Sequence, residues 1–276
     1  MPKQVKIGVI GCLGRMGQAI VAVAQSRPGV LVVAGCERQG HPGVGSLLND
    51  TGIQVSDSVE AVMKASDVVI DFTPPGNTKD HAALAVSNAA ALVVGTTGLD
   101  ALAHSALDRA AASVAVCQAG NFSLGVNLLA ALARQAAAAL PAEDWDIEIL
   151  EMHHRHKVDA PSGTAEMLGE ATAVGRGVVL GDKAVRARDG ITGPREKGTI
   201  GFSVLRGGSV VGEHDVIFAS DSERLTLSHH AENRDLFAGG AVTAARWLAG
   251  REAGRYTMVD VLGFNTSDSN TSGSPV

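Results

Sequence analysis

The chain has 276 residues, of which 45% are hydrophobic and 19% charged, enough apolar side chain for a sizeable core and a length that suggests about two domains. Its 23 basic and 29 acidic residues leave a net charge of −6, and aromatics are only 3%, so the basic stripe and stacking platform of a nucleic-acid binder are both missing. The three cysteines, Cys12, Cys36 and Cys117, are odd in number without C-x-x-C spacing and read as reduced thiols, neither a disulfide frame nor a zinc site.

In chain order, residues 5–10 read as a buried strand, followed by a helix to about Arg27 and a second strand at 31–36. Further β-rich runs fall at 68–71, 91–94 and 114–118, with helical patterns between them at 59–65, 78–89 and 99–112. Strands that are apolar throughout and separated by helices predict a parallel sheet covered on both faces. From Asp146 onward the pattern changes: a strand at 147–152, a helix at 164–174, then β-rich runs at 199–205, 215–218 and 224–228 with little helix between them. The expected class is α/β, with an N-terminal doubly wound, Rossmann-like sheet and a C-terminal α+β domain carrying a mixed or antiparallel sheet. The Ala-rich helix predicted at 236–251 is expected to pack back on the first domain. That divides the chain into a dinucleotide-binding domain (1–124, completed by 235–264) and a substrate-binding and oligomerisation domain (125–234). Residues 181–198, rich in Gly, Pro and charge, read as a long mobile loop, and 265–276 as a disordered tail. Met1-Pro-Lys-Gln runs straight into the first strand without a leader pattern, and the greasiest run, 82–94, is broken by Ser87 and Asn88. The expectation is a soluble cytoplasmic protein with neither membrane nor nucleic acid as partner.

Gly8-Val-Ile-Gly11-Cys-Leu-Gly14-Arg-Met-Gly17 lies between the first strand and the first helix. Glycines there let the backbone approach a pyrophosphate, and the helix N-terminus supplies N–H groups and positive dipole. The spacing is GxxGxxG rather than GxGxxG, so a merely tight strand–helix turn competes with the phosphate cradle. The order strand, glycines, helix favours the cradle. So does Glu37 at the end of the second strand, where an acid binds ribose hydroxyls. Arg38 beside it suits a 2′-phosphate, against the alternative of a solvated loop charge. Gly95-Thr96-Thr97-Gly98 and Ala119-Gly120-Asn121-Phe122-Ser123 follow two more strands and suit a nicotinamide and its ribose, although alone they are ordinary turns. Walker and GxSxG motifs are absent.

Glu151-Met-His153-His154-Arg155-His156-Lys157-Val-Asp159-Ala-Pro-Ser162-Gly163-Thr164 is the most unusual segment. Three readings compete: a metal site, a solvated charged turn, and a site for proton transfer to an anionic substrate. Adjacent histidines on a strand point to opposite faces and HExxH is absent, which weighs against metal. Imidazole titrating near neutrality, a lysine, and a helix start at Ser162 whose first N–H groups suit a carboxylate favour the third.

That segment resembles the signature of the 4-hydroxy-tetrahydrodipicolinate (dihydrodipicolinate) reductase family of lysine and diaminopimelate synthesis. Gly-Arg-Met-Gly (14–17), Asp-Phe-Thr (71–73), Gly-Thr-Thr-Gly (95–98), Gly-Asn-Phe-Ser (120–123), Val-Gly-Glu-His (211–214) and His-x-Ala-x-x-Arg (229–234) fall in the family's order. The resemblance implies NADPH or NADH as cofactor, its pyrophosphate wrapped by Gly11, Cys12, Leu13, Gly14, Arg15 and Met16. It implies Glu37 on the adenosine ribose and Arg38 on a 2′-phosphate. Gly95, Thr96 and Thr97, with Ala119, Gly120, Asn121 and Phe122, would line the nicotinamide side. His153 is implied as proton donor and acceptor and Lys157 as second donor, with His154, Gly163 and Thr164 holding a small dicarboxylate and no metal involved. A homotetramer built through the second-domain sheets is also implied. Cys12-Leu13 stands where the family usually carries small residues. Two alternatives remain open at this point: a two-domain oxidoreductase for another keto or imino acid, and a non-catalytic NADP sensor. The sensor would have no need of a His153–Lys157 pair.

Overall fold

The computed structural model describes residues 4–264. In chain order the elements are β1 (Val5–Ile10), α1 (Arg15–Ser26), β2 (Val30–Cys36), α2 (Val59–Ala65), β3 (Val68–Asp71), α3 (Thr78–Ser87), β4 (Ala91–Val94), α4 (Ala101–Ala111) and β5 (Ala115–Gln118). There follow α5 (Leu124–Ala139), β6 (Asp146–His153), α6 (Gly163–Arg176), α7 (Leu180–Lys183), β7 (Ala184–Val185), β8 (Ile200–Arg206), β9 (Glu213–Ala219) and β10 (Arg224–His230). The last elements are α8 (Asp235–Leu248), β11 (Gly254–Tyr256) and α9 (Met258–Val261). The chain forms two compact units: one runs to Leu124 and resumes at Asp235, the other is Gly125–Arg234.

The first unit is built on a six-stranded sheet in the order β11-β5-β4-β3-β1-β2, with all pairings parallel. All four residues of β3 and of β4 are buried, as a strand covered on both faces requires. Each Ile or Val withdrawn from water there contributes about 1.5–3 kcal/mol. Side-chain caps fix the helix starts: Ser58 accepts from the Ala61 N–H at α2, and Asp100 from the Ala103 N–H at α4. The Ala-rich α8 buries Ala238, Ala241, Val242, Ala245 and Leu248 in the same core as Ile20, Val21 and Ala24 of α1. Arg27 Nη1 donates to Thr243 Oγ1 at 3.2 Å, a second tie between the chain's two ends. The helix expected to reach residue 251 stops at Leu248, and the chain then adds β11 to the sheet edge, a strand too short for its sequence to announce. β1 pairs with β2 on one side and β3 on the other, so the strand order reverses there. A crevice beyond the carboxyl ends of such strands is where doubly wound sheets bind ligands.

The second unit carries a mixed sheet, β10-β9-β6-β8-β7. β8 runs parallel to β6 and β7, and β9 antiparallel to β6 and β10. α5, which the sequence reading left unassigned, and α6 supply Leu129, Ala133, Ala137, Leu168 and Ala173 to a core with Ile147, Ile149, Val216 and Phe218. The long loop expected at 181–198 begins with the end of α7 and with β7, and runs without a regular element from 186 to 198. β7 within it pairs with β8, and three arginines pin the remainder. Arg186 binds Glu166 at 2.9 and 3.1 Å, and Arg188 binds both Glu148 oxygens at 2.8 Å. Arg195 reaches Asp146 at 2.6 Å, Glu148 at 2.8 Å and the Ile147 and Thr199 carbonyls at 2.9 and 2.8 Å. Charge in that segment complements acids at the outward positions of β6 and in the first turn of α6, which composition does not reveal. Burial works against ionisation of Glu148, but Arg188 and Arg195 hold its carboxyl below the usual range. The disordered tail expected at 265–276 lies outside the described residues.

Candidate active site

In the first unit a cavity of about 710 Å³ opens at the β1/β3 reversal, lined among others by Gly11, Leu13, Glu37, Arg38, Thr73 and His81. Gly11 has φ 71°, the left-handed region, and turns the chain out of β1. A Cβ at Gly17 would stand 2.7 Å from Cys12 Cα, so only glycine lets α1 close on the loop. Gly14 begins α1 without a side-chain cap, and the N–H groups of Arg15, Met16 and Gly17 in its first turn have no partner four residues back within the helix. This glycine-walled turn beneath a helix N-terminus fits a pyrophosphate.

The structure corrects how Cys12 takes part. Its side chain is fully buried in the core, and its N–H donates to the Cys36 carbonyl at 3.2 Å. Burial, and then the Glu37 charge, push its thiol up to about 11. Gly11 and Gly14 also use their N–H groups within the loop, on the Cys36 and Gly11 carbonyls. Glu37 Oε1 accepts the Leu13 N–H at 2.9 Å, a brace on the loop that the sequence did not reveal.

Gly95–Thr97 and Ala119–Phe122 lie beyond β4 and β5, outside the lining of this cavity, and are joined to it through the segment after β3. Thr96 Oγ1 donates to the Thr73 carbonyl at 2.9 Å, and the Phe122 ring, itself buried, stands 5.4 Å from that of Phe72. A buried pair missed by sequence reasoning holds that segment. Asp71 accepts from the Thr73 N–H (2.8 Å) and hydroxyl (2.6 Å), and His81 Nδ1 lies 2.7 Å from its other oxygen. Burial raises the Asp71 pKa, but His81 and Thr73 outweigh it and hold the carboxyl below its usual value. The available signal was an acid at the end of an all-apolar strand.

In the second unit, β6 alternates strictly, and its inward residues are Ile147, Ile149, Glu151 and His153. Two apolar positions thus give way to an acid and an imidazole at the strand's end. His153 Nδ1 lies 2.6 Å from Glu151 Oε2. The other oxygen, Oε1, accepts the Ser162 N–H at 2.9 Å and Arg206 Nη2 at 3.2 Å. The β6–β9 register sets Glu151 opposite His214, whose Nε2 is 3.9 Å from Oε2 and 3.2 Å from Ser162 Oγ. The His153 and His214 rings meet edge to face at 5.0 Å. Burial alone would raise the Glu151 pKa, yet hydrogen bonds from Ser162 and Arg206 and the His153 charge bring it below the usual range. Burial, with the charges of Lys157 and Arg206, lowers the His153 pKa against the opposing pull of Glu151. Burial takes His214 down to about 4, with His153 adding to the effect, so His214 is neutral at pH 7.

One ligand atom each from Glu151, His153 and His214 lies within 4.8 Å of the other two, a possible donor set for a metal. Two donors held tetrahedrally at about 2.0–2.1 Å from one zinc stand roughly 3.3 Å apart. Nδ1 and Oε2, at 2.6 Å, stand closer together than that.

The chain turns directly after His153, where β6 ends: the Lys157 N–H donates to the His154 carbonyl at 3.1 Å. Lys157 Nζ pairs with Asp159 at 2.9 Å. His154 and His156 leave the strand face and line a second cavity, about 700 Å³, with Arg155, Gly208, Ser209 and Arg234. Arg234 Nη2 is 3.4 Å from His154 Nε2. Gly163 and Thr164 open α6 as expected, capped by Ser162 Oγ on the Ala165 N–H at 3.1 Å. Glu151, Arg206, His214 and Arg234 were not singled out as site residues. Glu151 was detectable as an acid on an inward strand position, whereas Arg206 and His214 come from distant strands and Arg234 from the connection before α8.

A doubly wound sheet with a glycine cradle at its reversal, and a mixed-sheet unit carrying a buried imidazole–carboxylate pair, define the architecture of a two-domain dinucleotide-dependent oxidoreductase. Two family descriptions match nearly end to end: "Dihydrodipicolinate reductase, N-terminus" over residues 5–122 and "Dihydrodipicolinate reductase, C-terminus" over 125–262. The chain belongs to the dihydrodipicolinate reductase family. It is 52% identical over 262 residues to a 4-hydroxy-tetrahydrodipicolinate reductase of Chelativorans sp. (strain BNC1), covering 93% of this chain and 95% of that one. The corresponding reductase of Parvibaculum lavamentivorans is 49% identical over 271 residues, covering 96% and 100%. Among solved structures, a dipicolinate-bound dihydrodipicolinate reductase from Paenisporosarcina sp. TG-14 superposes with a TM-score of 0.74 at 25% identity, covering 93% of this chain and 98% of that one.

Proposed function

We propose that this chain reduces 4-hydroxy-tetrahydrodipicolinate to tetrahydrodipicolinate, with loss of water, using NADPH or NADH in lysine and diaminopimelate synthesis. The observation that carries the chemistry is the buried His153, with a carboxylate 2.6 Å from Nδ1, in a chain of this family. With Nδ1 turned to Glu151, Nε2 is the His153 atom that gives and takes a proton. Lys157 Nζ is the second proton donor, and its cation attracts a dicarboxylate. His154 and the first turn of α6 at Gly163 and Thr164 bind the substrate carboxylates, through charge and backbone N–H groups respectively.

Residues 1–124 with 235–264 act as the dinucleotide domain and 125–234 as the substrate and oligomerisation domain. Gly11, Leu13 and Gly14 shape the cradle and the first-turn N–H groups of Arg15 and Met16 receive the pyrophosphate, with Glu37 on the adenosine ribose and Arg38 on a 2′-phosphate when NADPH is bound. Gly95–Thr97 and Ala119–Phe122 receive the nicotinamide side. The bound dinucleotide supplies a hydride to the unsaturated ring. The assembly is a homotetramer formed through the second-unit sheets, working in the cytoplasm. Among the described residues no helix is long and apolar enough to cross a membrane.

The test is a coupled assay in which purified protein is added to pyruvate, aspartate semialdehyde and the upstream synthase, with NAD(P)H absorbance followed. Oxidation that requires all components is expected. Absence of oxidation with either cofactor refutes the reading.

A further inference from the structure

We infer that Glu151 is the positioning residue of this site: one carboxylate oxygen fixes the tautomer of His153, and the other fixes the helix start that receives the substrate. The inference rests on the reading of His153 as proton donor. Oε2 faces His153 Nδ1, while Oε1 holds the Ser162 N–H and Arg206. Ser162 is the residue that caps α6 immediately before Gly163 and Thr164. One buried side chain, 1% exposed, thus joins the proton donor to the substrate-binding turn across a gap of eleven residues. Arg206 extends the link, since its Nη2 also donates to the Asp159 carbonyl at 2.6 Å, in the segment between the two.

An ionised carboxylate at this distance selects the imidazole form that carries its proton on Nδ1. The neutral ring then presents the Nε2 lone pair, and the protonated ring presents Nε2–H, so proton exchange is confined to one atom. That flank of the ring is kept clear by Gly212, where a Cβ would stand only 3.0 Å from Nε2. The charged and titratable groups facing His153 are Glu151 on β6, His214 on β9, Arg206 on β8 and Lys157 in the turn. Lys157 and Arg206 disfavour a second positive charge, and Glu151 is the group that favours protonation. A carboxylate present only to tie Ser162 would have no need of an imidazole on its second oxygen.

The experiment uses the full chain, wild type and Glu151→Gln, in two measurements. The first is imidazole nitrogen NMR on 15N-labelled protein, with His153→Ala used to assign the His153 signal. In the wild type, neutral His153 is expected to carry its proton on Nδ1, and in Glu151→Gln the population with Nε2–H rises. The second is kcat against pH in the coupled assay. For Glu151→Gln, kcat falls by about 10–10³-fold, the scale for losing an orienting partner. The limb that requires protonated His153 moves to lower pH, while the affinity for NADPH is unchanged. Neutral wild-type His153 carrying its proton on Nε2 overturns the inference even if the variant fails to fold. So does a folded Glu151→Gln with wild-type kcat and an unmoved pH limb. A purely structural role would lower Tm and leave the limb in place, which also counts against it. If His153→Ala itself keeps full kcat, the functional reading fails; if it loses turnover while Glu151→Gln does not, only the role of Glu151 fails.

Discussion

Replacing His81 by Leu separates polar from apolar contributions at the buried Asp71–His81 pair. Leucine retains most of the buried volume, so the loss comes from the 2.7 Å contact to a carboxylate that is 0% exposed. Breaking a buried pair from one side costs about 3–5 kcal/mol when the remaining charge is left uncompensated. Here Thr73 still donates its N–H at 2.8 Å and hydroxyl at 2.6 Å, which moves the expectation down to about 2–3 kcal/mol, the scale of a hydrogen bond to a charged group. The pH dependence follows from the sign of the Asp71 shift. Its folded-state pKa is depressed, so its stabilisation is present above the ordinary aspartate range and is lost as pH falls through the folded value. The gap between wild type and His81→Leu should therefore be widest near neutrality and shrink in acid. Urea unfolding at several pH values measures it. Because Thr73 and His81 line the dinucleotide cavity, NADPH titration is expected to show weaker binding in parallel. A loss below about 0.5 kcal/mol at neutral pH, within the range of an ordinary surface substitution, would refute the reasoning.

Arg38→Ala is expected to weaken NADPH binding by roughly 1–3 kcal/mol and leave NADH nearly unchanged; equal losses in titrations of the two cofactors would show that Arg38 does not contact the phosphate. His153→Ala and Lys157→Ala should each lower kcat by about 10²–10⁴-fold with the cofactor still bound, and chelator should leave wild-type turnover intact. Near-wild-type kcat in both variants, or activity lost to chelator and restored by zinc, would contradict that assignment. Arg195→Ala should expose residues 186–198 to limited proteolysis and destabilise the second unit by about 1–3 kcal/mol, since four of its contacts go to β6 and to Thr199 just before β8. An unchanged cleavage pattern and unfolding curve would argue against the pinned segment.

The sequence by itself determined the elements whose causes are local. Ile7–Ile10 of β1, Val68–Ile70 of β3 and all of β4 are apolar because both faces are buried. The glycines from Gly8 to Gly17 are spaced for a turn into a helix, and Ser162 caps α6 whatever surrounds it. The doubly wound first sheet followed from the alternation of such strands with helices. Tertiary structure decided which side chains meet. The histidine cluster looks like one group along the chain, yet β6 ends at His153 and turns at once. His153 therefore remains on the inward face beside Glu151, whereas His154 and His156 line a cavity with Arg234. Antiparallel register alone brings His214 opposite Glu151, and Arg206 arrives from the parallel neighbour on the other side. Likewise Glu37 reads from sequence as a ribose acid, but only the folded loop reveals that it also braces the Leu13 N–H. Strand alternation and helix caps depend on neighbours a few residues away. Register and the pairing of buried charges depend on hydrogen bonds between segments whose separation in sequence carries no information about their contact.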